Sequence, residues 1–122
     1  MIKLTFCLVR LPHLTREAFQ AYWLDNHAPL VRSHAPTLGI KRYVQTHSAD
    51  PALSVDLRHS RGGPEQYDGI AQLWWASLED LTQHLSQPQA IEAGRALLED
   101  ERKFIDLPRS PLWWGEEKVI VG

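Results

Sequence analysis

The chain has 122 residues, 43% hydrophobic and 23% charged, which is enough for one globular domain with a real core and too well mixed for disorder. Its formal net charge of -2 argues against a nucleic-acid or anionic-membrane partner, either of which calls for a clear basic excess. One cysteine, Cys7, excludes an internal disulfide, and no stretch approaches the ~18 apolar residues of a membrane span. The first apolar run is cut by Arg10 and alternates, so it reads as a strand rather than a secretory signal. A cytoplasmic protein with a single domain over residues 1–122 is expected.

Residues 2–10 (IKLTFCLVR) alternate as a strand, with Ile2, Leu4, Phe6 and Leu8 on one face. Thr15 is placed to cap a helix in which Phe19, Tyr22, Trp23 and Asn26 or His27 trace one stripe. Pro29 has no N–H and would clash one turn back, so a kink or break is expected at residues 26–28, followed by a second short helix. Residues 39–47 read as the second strand. Residues 48–66 have no clean period and are expected to form a long irregular connection, a candidate lid. Residues 67–75 read as the third strand. Ser77 and Asp80 form a capping-box pattern for the next helix, and Pro88 opens a longer one whose apolar stripe includes Ala90, Leu97 and Phe104. Residues 112–121 read as the last strand. The order strand, helix, strand, strand, helix, strand predicts an α+β, ferredoxin-like fold with a four-stranded antiparallel sheet.

Both helices of such a fold cover one sheet face. In the third strand Ala71, Leu73 and Trp75 are expected to face the helices, leaving Asp68, Ile70, Gln72 and Trp74 on the open face. In the second strand the same reasoning sends Ile40 and Val44 inward and leaves Lys41, Tyr43, Gln45 and His47 on the open face. An exposed face that mixes aromatic and polar residues in this way would be covered by a second copy of the sheet, which would enclose a pocket. A homodimer is therefore expected. The alternative is a monomer whose residues 48–66 fold across the sheet.

Four blocks, FQAYWLDNHAPLV, GIKRYVQTH, YDGIAQLWW and EDERKFID, together resemble the EthD family of dimeric α+β barrel proteins, and the match spans nearly the whole chain. The resemblance implies a small-molecule protein of oxidoreductase or lyase type. The family is named for a protein encoded with an ether-degrading oxidative system, and fungal relatives resemble tailoring enzymes that decarboxylate, dehydrate or oxidise aromatic polyketides. By the same resemblance His27, in the HAPL motif, is the residue that carries over best. Trp23, Tyr43, Asp68 and Trp74 carry over as pocket or framework positions.

The chemistry of the residues adds roles. His27 titrates near neutrality and is read as a general acid or base beside Trp23; the competing reading is a buried ring that bonds a carbonyl freed by Pro29. Tyr43 could donate to a developing oxyanion, and His47, at a strand end, could reach a barrel mouth and steady the same charge, so both join His27 as catalytic candidates. Trp74, Gln72 and Ile70 are candidate substrate contacts. Asp68 could orient a histidine or substrate hydroxyl, though backbone N–H groups are its simpler partners. Glu101 reads as part of a helix-surface charge network. The histidines have no metal-ligand spacing and the chain has no phosphate loop, so no metal or nucleotide cofactor is expected. Haem needs a single axial histidine and stays open. Two functions follow. The first is a cofactor-free enzyme that moves a proton with His27 on an aromatic, polyketide-like or xenobiotic-derived substrate, in decarboxylation, dehydration, isomerisation or oxygenation. The second is a non-catalytic binding or accessory protein for small hydrophobic metabolites in an oxidative degradation pathway.

Overall fold

The computed structural model describes residues 1–122. Four strands, β1 (Ile2–Leu8), β2 (Arg42–His47), β3 (Gly69–Trp75) and β4 (Leu112–Glu116), form one sheet in the order β2-β3-β1-β4, and every neighbouring pair is antiparallel. This is the ferredoxin-like α+β arrangement. Helices α1 (Arg16–Tyr22), α2 (Ala28–Leu38), α4 (Leu78–Leu85) and α5 (Pro88–Glu101) accompany the sheet, and α3 (Pro51–Ser60) lies between β2 and β3 in sequence. No helix is long and apolar enough to cross a membrane.

The helices start where the capping chemistry places them. The Thr15 hydroxyl accepts from the N–H of Ala18 at 3.0 Å, and that of Ser77 accepts from the N–H of Asp80 at 3.0 Å. Pro29 does not break the first helical stretch. The backbone widens instead into a π-turn over Trp23–His27, in which the Ala28 N–H donates to the Trp23 carbonyl, five residues back. A proline offers no donor to the carbonyl one turn earlier, and widening lets the helix continue past that gap. The turn keeps Trp23 (1% exposed) and His27 (5% exposed) both buried on the core side.

The connection expected over residues 48–66 is corrected: ten of its residues form α3. The Asp50 carboxylate accepts from the Ala52 N–H at 2.9 Å and Pro51 occupies the first turn, a start signal with clear chemistry. No residue of α3 is buried, and Leu53 and Leu57 stay exposed. A helix with no buried residue need not carry an amphipathic period.

The core lies between the helices and one sheet face. Phe6 and Leu8 of β1 and Ala71, Leu73 and Trp75 of β3 meet Phe19, Trp23, Leu97 and Phe104 there. The sides expected for β1 and β3 agree with this, but those of β2 are reversed. Tyr43 stands opposite Leu73, Gln45 opposite Ala71 and His47 opposite Gly69, so these three face the helices, while Val44 lies opposite Gln72 on the other face. The strand begins only at Arg42. Alternation counted from Ile40 crosses a bend at Lys41 and slips by one residue, which exchanges the faces of every side chain that follows.

Gly69 gives Trp23 its room. A Cβ there would lie 2.7 Å from the indole Cη2 and 2.9 Å from the Thr46 carbonyl oxygen. Gly69→Ala should therefore destabilise the fold by about 1–3 kcal/mol through overpacking, read as a lower urea midpoint with an unchanged slope; an unaltered midpoint would mean that the indole has space to yield.

Candidate active site

A cavity of about 200 Å³ opens between the helices and the helix-facing side of the sheet, inside a single chain. The pocket expected against the open sheet face is thereby relocated to the opposite side of the sheet. Its wall is apolar, with Trp23, Leu73 and Trp75 among its residues, and three groups in it can exchange protons: His27, Tyr43 and Glu101. An apolar void of ~150 Å³ holds benzene, so the space suits one or two fused rings. It falls below the roughly 300–1,000 Å³ of sites for drug-sized ligands and does not fit a haem.

His27 comes from the π-turn. Its Nδ1 lies 2.7 Å from Oδ2 of Asp100 on α5. Tyr22 donates to the other Asp100 oxygen at 2.6 Å, and Lys103 Nζ lies 3.6 Å from it. Burial alone would raise the Asp100 carboxyl. The hydrogen bonds from Tyr22 and His27, with the positive charges of His27 and Lys103, outweigh it and hold the group below its ordinary value. Burial pushes the His27 ring down in turn, against the upward pull of the Asp100 hydrogen bond and charge. The ring is then neutral at pH 7. An ionised carboxylate only accepts, so Nδ1 carries the proton and Nε2 carries the lone pair. The one side-chain hydrogen bond of His27 is made by Nδ1, which leaves Nε2 without a partner in the chain, and His27 forms part of the cavity wall. The imidazole is thus oriented from behind and open in front, the arrangement of a general base.

Tyr43 is set by a short polar chain along β2. The Gln45 amide nitrogen donates to the Trp23 carbonyl at 3.0 Å and to the Tyr43 hydroxyl at 2.8 Å, while its oxygen takes His47 Nε2 at 2.7 Å. The Trp23 carbonyl can only accept, which fixes the amide orientation. The Tyr43 oxygen therefore receives a hydrogen bond, and its own proton is free for a ligand in the cavity. Burial raises this phenol; the donors of Gln45 and Trp23 pull it partly back, and the Glu101 charge raises it further. It remains protonated and able to donate at physiological pH.

Glu101 is partly buried, forms no ion pair and faces the cavity. Burial, together with the neighbouring Asp100 charge, raises its carboxyl from 4.5 to about 7. Its placement in a helix-surface charge network is corrected here. The helix-stripe pattern pointed at this residue, but sequence gave no sign that no cation would meet it.

Of the other sequence candidates, Trp23 lines the cavity. His47 faces the helices but is stacked on the Trp23 ring, centroids 4.5 Å apart, and supports the wall from behind. Trp74, Gln72 and Ile70 project to the sheet face away from the cavity. Trp74 is buried there under Lys3 and Arg42, 5.4 and 4.9 Å from its ring, and its indole N–H donates to Glu117. Asp68 orients no histidine. Its oxygens take the Arg10 backbone N–H at 2.8 Å and the Arg10 guanidinium at 2.6 Å. Asp100, the partner of His27, was missed in the sequence because its spacing from His27 spans 73 residues. No cluster of three or more His, Cys, Asp or Glu side chains is arranged to hold a metal.

Residues 11–108 match the model of the EthD domain. The chain belongs to the EthD family. Among solved structures, an EthD family protein from Bacillus halodurans is 21% identical, with a TM-score of 0.60 over 97% of this chain and 100% of that one. A protein of unknown function from Bacteroides fragilis, described as dimeric and of ferredoxin-like fold, is 9% identical, with a TM-score of 0.57 over 95% of each chain. SnoaB, a cofactor-independent oxygenase from Streptomyces nogalater, is 12% identical, with a TM-score of 0.56 over 98% of this chain and 95% of that one. At these identities the likenesses concern the fold, and the EthD chain's chemistry must be argued from its own side chains.

The raised Glu101 carboxyl links stability to pH. Its folded-state value exceeds its ordinary one, so its contribution is fully present below pH 4.5 and is lost as pH rises through about 7. Glu101→Gln should remove that loss. Relative to wild type the variant should gain on the order of 2 kcal/mol between pH 5 and pH 8, measured by urea unfolding at both values; an equal difference at the two would place the carboxylate in contact with solvent.

Proposed function

We propose that this EthD protein is an enzyme that removes a proton from a small aromatic or enolisable compound without a bound cofactor. His27 Nε2 takes the proton, Asp100 steadies the imidazolium that forms, and the Tyr43 hydroxyl donates to the oxygen on which negative charge develops. The observation that carries the reading is the 2.7 Å contact of His27 with Asp100, which turns a lone-pair nitrogen into an otherwise greasy void. A binding wall would need only the aromatics, whereas a buried carboxylate aligned behind a buried imidazole is costly unless the ring must bear charge. Isomerisation, dehydration and oxygenation of an activated carbanion can all begin with this step. The description of SnoaB as a cofactor-independent oxygenase supports the absence of a cofactor from the proposal.

The reading is tested by deuterium wash-in at the acidic C–H of 2-tetralone, a bicyclic ketone, followed by NMR in D2O. Wild type should accelerate exchange, with a rate that rises with pH through a value below 6.5 as His27 loses its proton. His27→Ala should lower the catalysed rate by about 10²-fold or more, and Asp100→Asn should also lower it. Binding of the ketone with no catalysed exchange would favour the non-catalytic carrier.

We further propose that the working form is a homodimer joined through the open sheet face. Trp113, half exposed, shares that face with the partly buried Val44 and Ile70. The Bacteroides fragilis neighbour, described as dimeric, supports this. Sedimentation should give twice the chain mass, and Trp113→Asp should shift it towards one; a monomeric wild type at high concentration would refute the assembly.

A further inference from the structure

The cavity wall has an uneven charge inventory. Leu, Ile, Val, Phe and Trp side chains make up most of it, and no Lys or Arg takes part. The titratable groups that share the cavity wall with Glu101 are His27 from the π-turn and Tyr43 from β2, the second of which feels the Glu101 charge. Its helical neighbour Asp100 sits behind, with one oxygen on His27 and the other on Tyr22 and Lys103. Lys103 is therefore engaged with Asp100, at 3.6 Å, and Arg102 makes no ion pair with Glu101. Every fixed group around the void is thus neutral or negative while His27 holds its lone pair.

An anion that enters such a space gives up its hydration and meets no cation. It also meets a carboxyl that is itself short of partners. An uncharged ligand of the same shape meets neither penalty and can take the free Tyr43 proton on an oxygen. We infer that this cavity accepts uncharged ring compounds that carry a carbonyl or hydroxyl oxygen, that it rejects carboxylates, and that Glu101 is the residue that sets the selection. This rests on the cavity being the substrate site of the proposed enzyme, and it narrows the chemistry. A substrate that must enter as a carboxylate in order to lose carbon dioxide is disfavoured, whereas a neutral enolisable ketone or phenol is suited.

Benzamide and benzoate have nearly the same shape and differ in charge, which makes them a direct probe pair. Their binding is measured by calorimetry at pH 8 on wild type and on Glu101→Gln. Wild type should bind benzamide at least about tenfold more tightly than benzoate. In Glu101→Gln benzoate should gain about tenfold, with benzamide altered little. The wild-type protein supplies a second measurement that needs no variant. At pH 5.5, where the Glu101 carboxyl is neutral and benzoate is still ionised, the preference should shrink; protonation of His27 acts in the same direction, and its share is the shrinkage that remains in Glu101→Gln.

Equal affinity for the two probes in wild type at pH 8 would overturn the inference. A preference unchanged by Glu101→Gln would overturn the role of Glu101, leaving desolvation in a greasy void as the cause. Binding of neither probe would overturn it as well, since the cavity would then admit no ring. Charge selection together with a failed deuterium exchange would remove the proton-transfer reading and leave the selection as that of a binding cavity; catalysed exchange with no charge selection would overturn the selection alone.

Discussion

The His27–Asp100 hydrogen bond joins two parts of the chain that lie 73 residues apart in sequence. One is the π-turn, whose geometry follows from a proline; the other is the last turn of α5. An ionised carboxylate can be buried only where donors meet it, and here Tyr22 and His27 supply them from one helical stretch. The same bond chooses the tautomer of the ring, and the tautomer decides that a lone pair rather than a proton meets the cavity. Removal of Asp100 would leave the His27 Nδ1 proton without an acceptor, and removal of His27 would leave Asp100 Oδ2 without a donor while Tyr22 and Lys103 still meet Oδ1.

The second strand completes the wall through a different device. Gln45 reads the Trp23 carbonyl with one end of its amide and so fixes which end meets His47. The Tyr43 hydroxyl is left with a donor pointed at it and its own proton unused. Two polar groups, one accepting and one donating, therefore open on an apolar space from opposite layers of the fold. This division into base and donor is what gives the reading as an enzyme its chemical content, and Glu101 adds a third group whose charge changes near neutrality.

The open face of the sheet has a logic of its own. Trp74 is covered by the Lys3 and Arg42 cations, held by Glu117, and this shields an indole that would otherwise lie bare. The exposed Leu53 and Leu57 of α3 and the half-exposed Trp113 of β4 have no comparable cover within the chain. An apolar helix row and a sheet face without partners are the usual marks of an interface.

Much of the fold was legible in the residues. Alternation in β1 and β3, the caps at Thr15 and Ser77, and the order of elements carried it, because each depends on neighbours within a few positions. His27, Trp23 and Tyr43 were also legible as types of residue in place. Three things were not. A one-residue slip at Lys41 hid the true face of Tyr43, since parity is meaningful only inside a strand and the strand's start is set by pairing with β3. The helical state of α3 was hidden because an unburied helix carries no pattern. Asp100 and Glu101 were hidden because adjacent positions on a helix point to different surroundings, and only packing tells which meets a histidine and which a void. The sequence by itself determined the elements, their order and the supply of proton-handling side chains. Which of those side chains converge, and which one is left without a counter-charge, was decided by the tertiary structure, because both depend on contacts between residues distant in the chain.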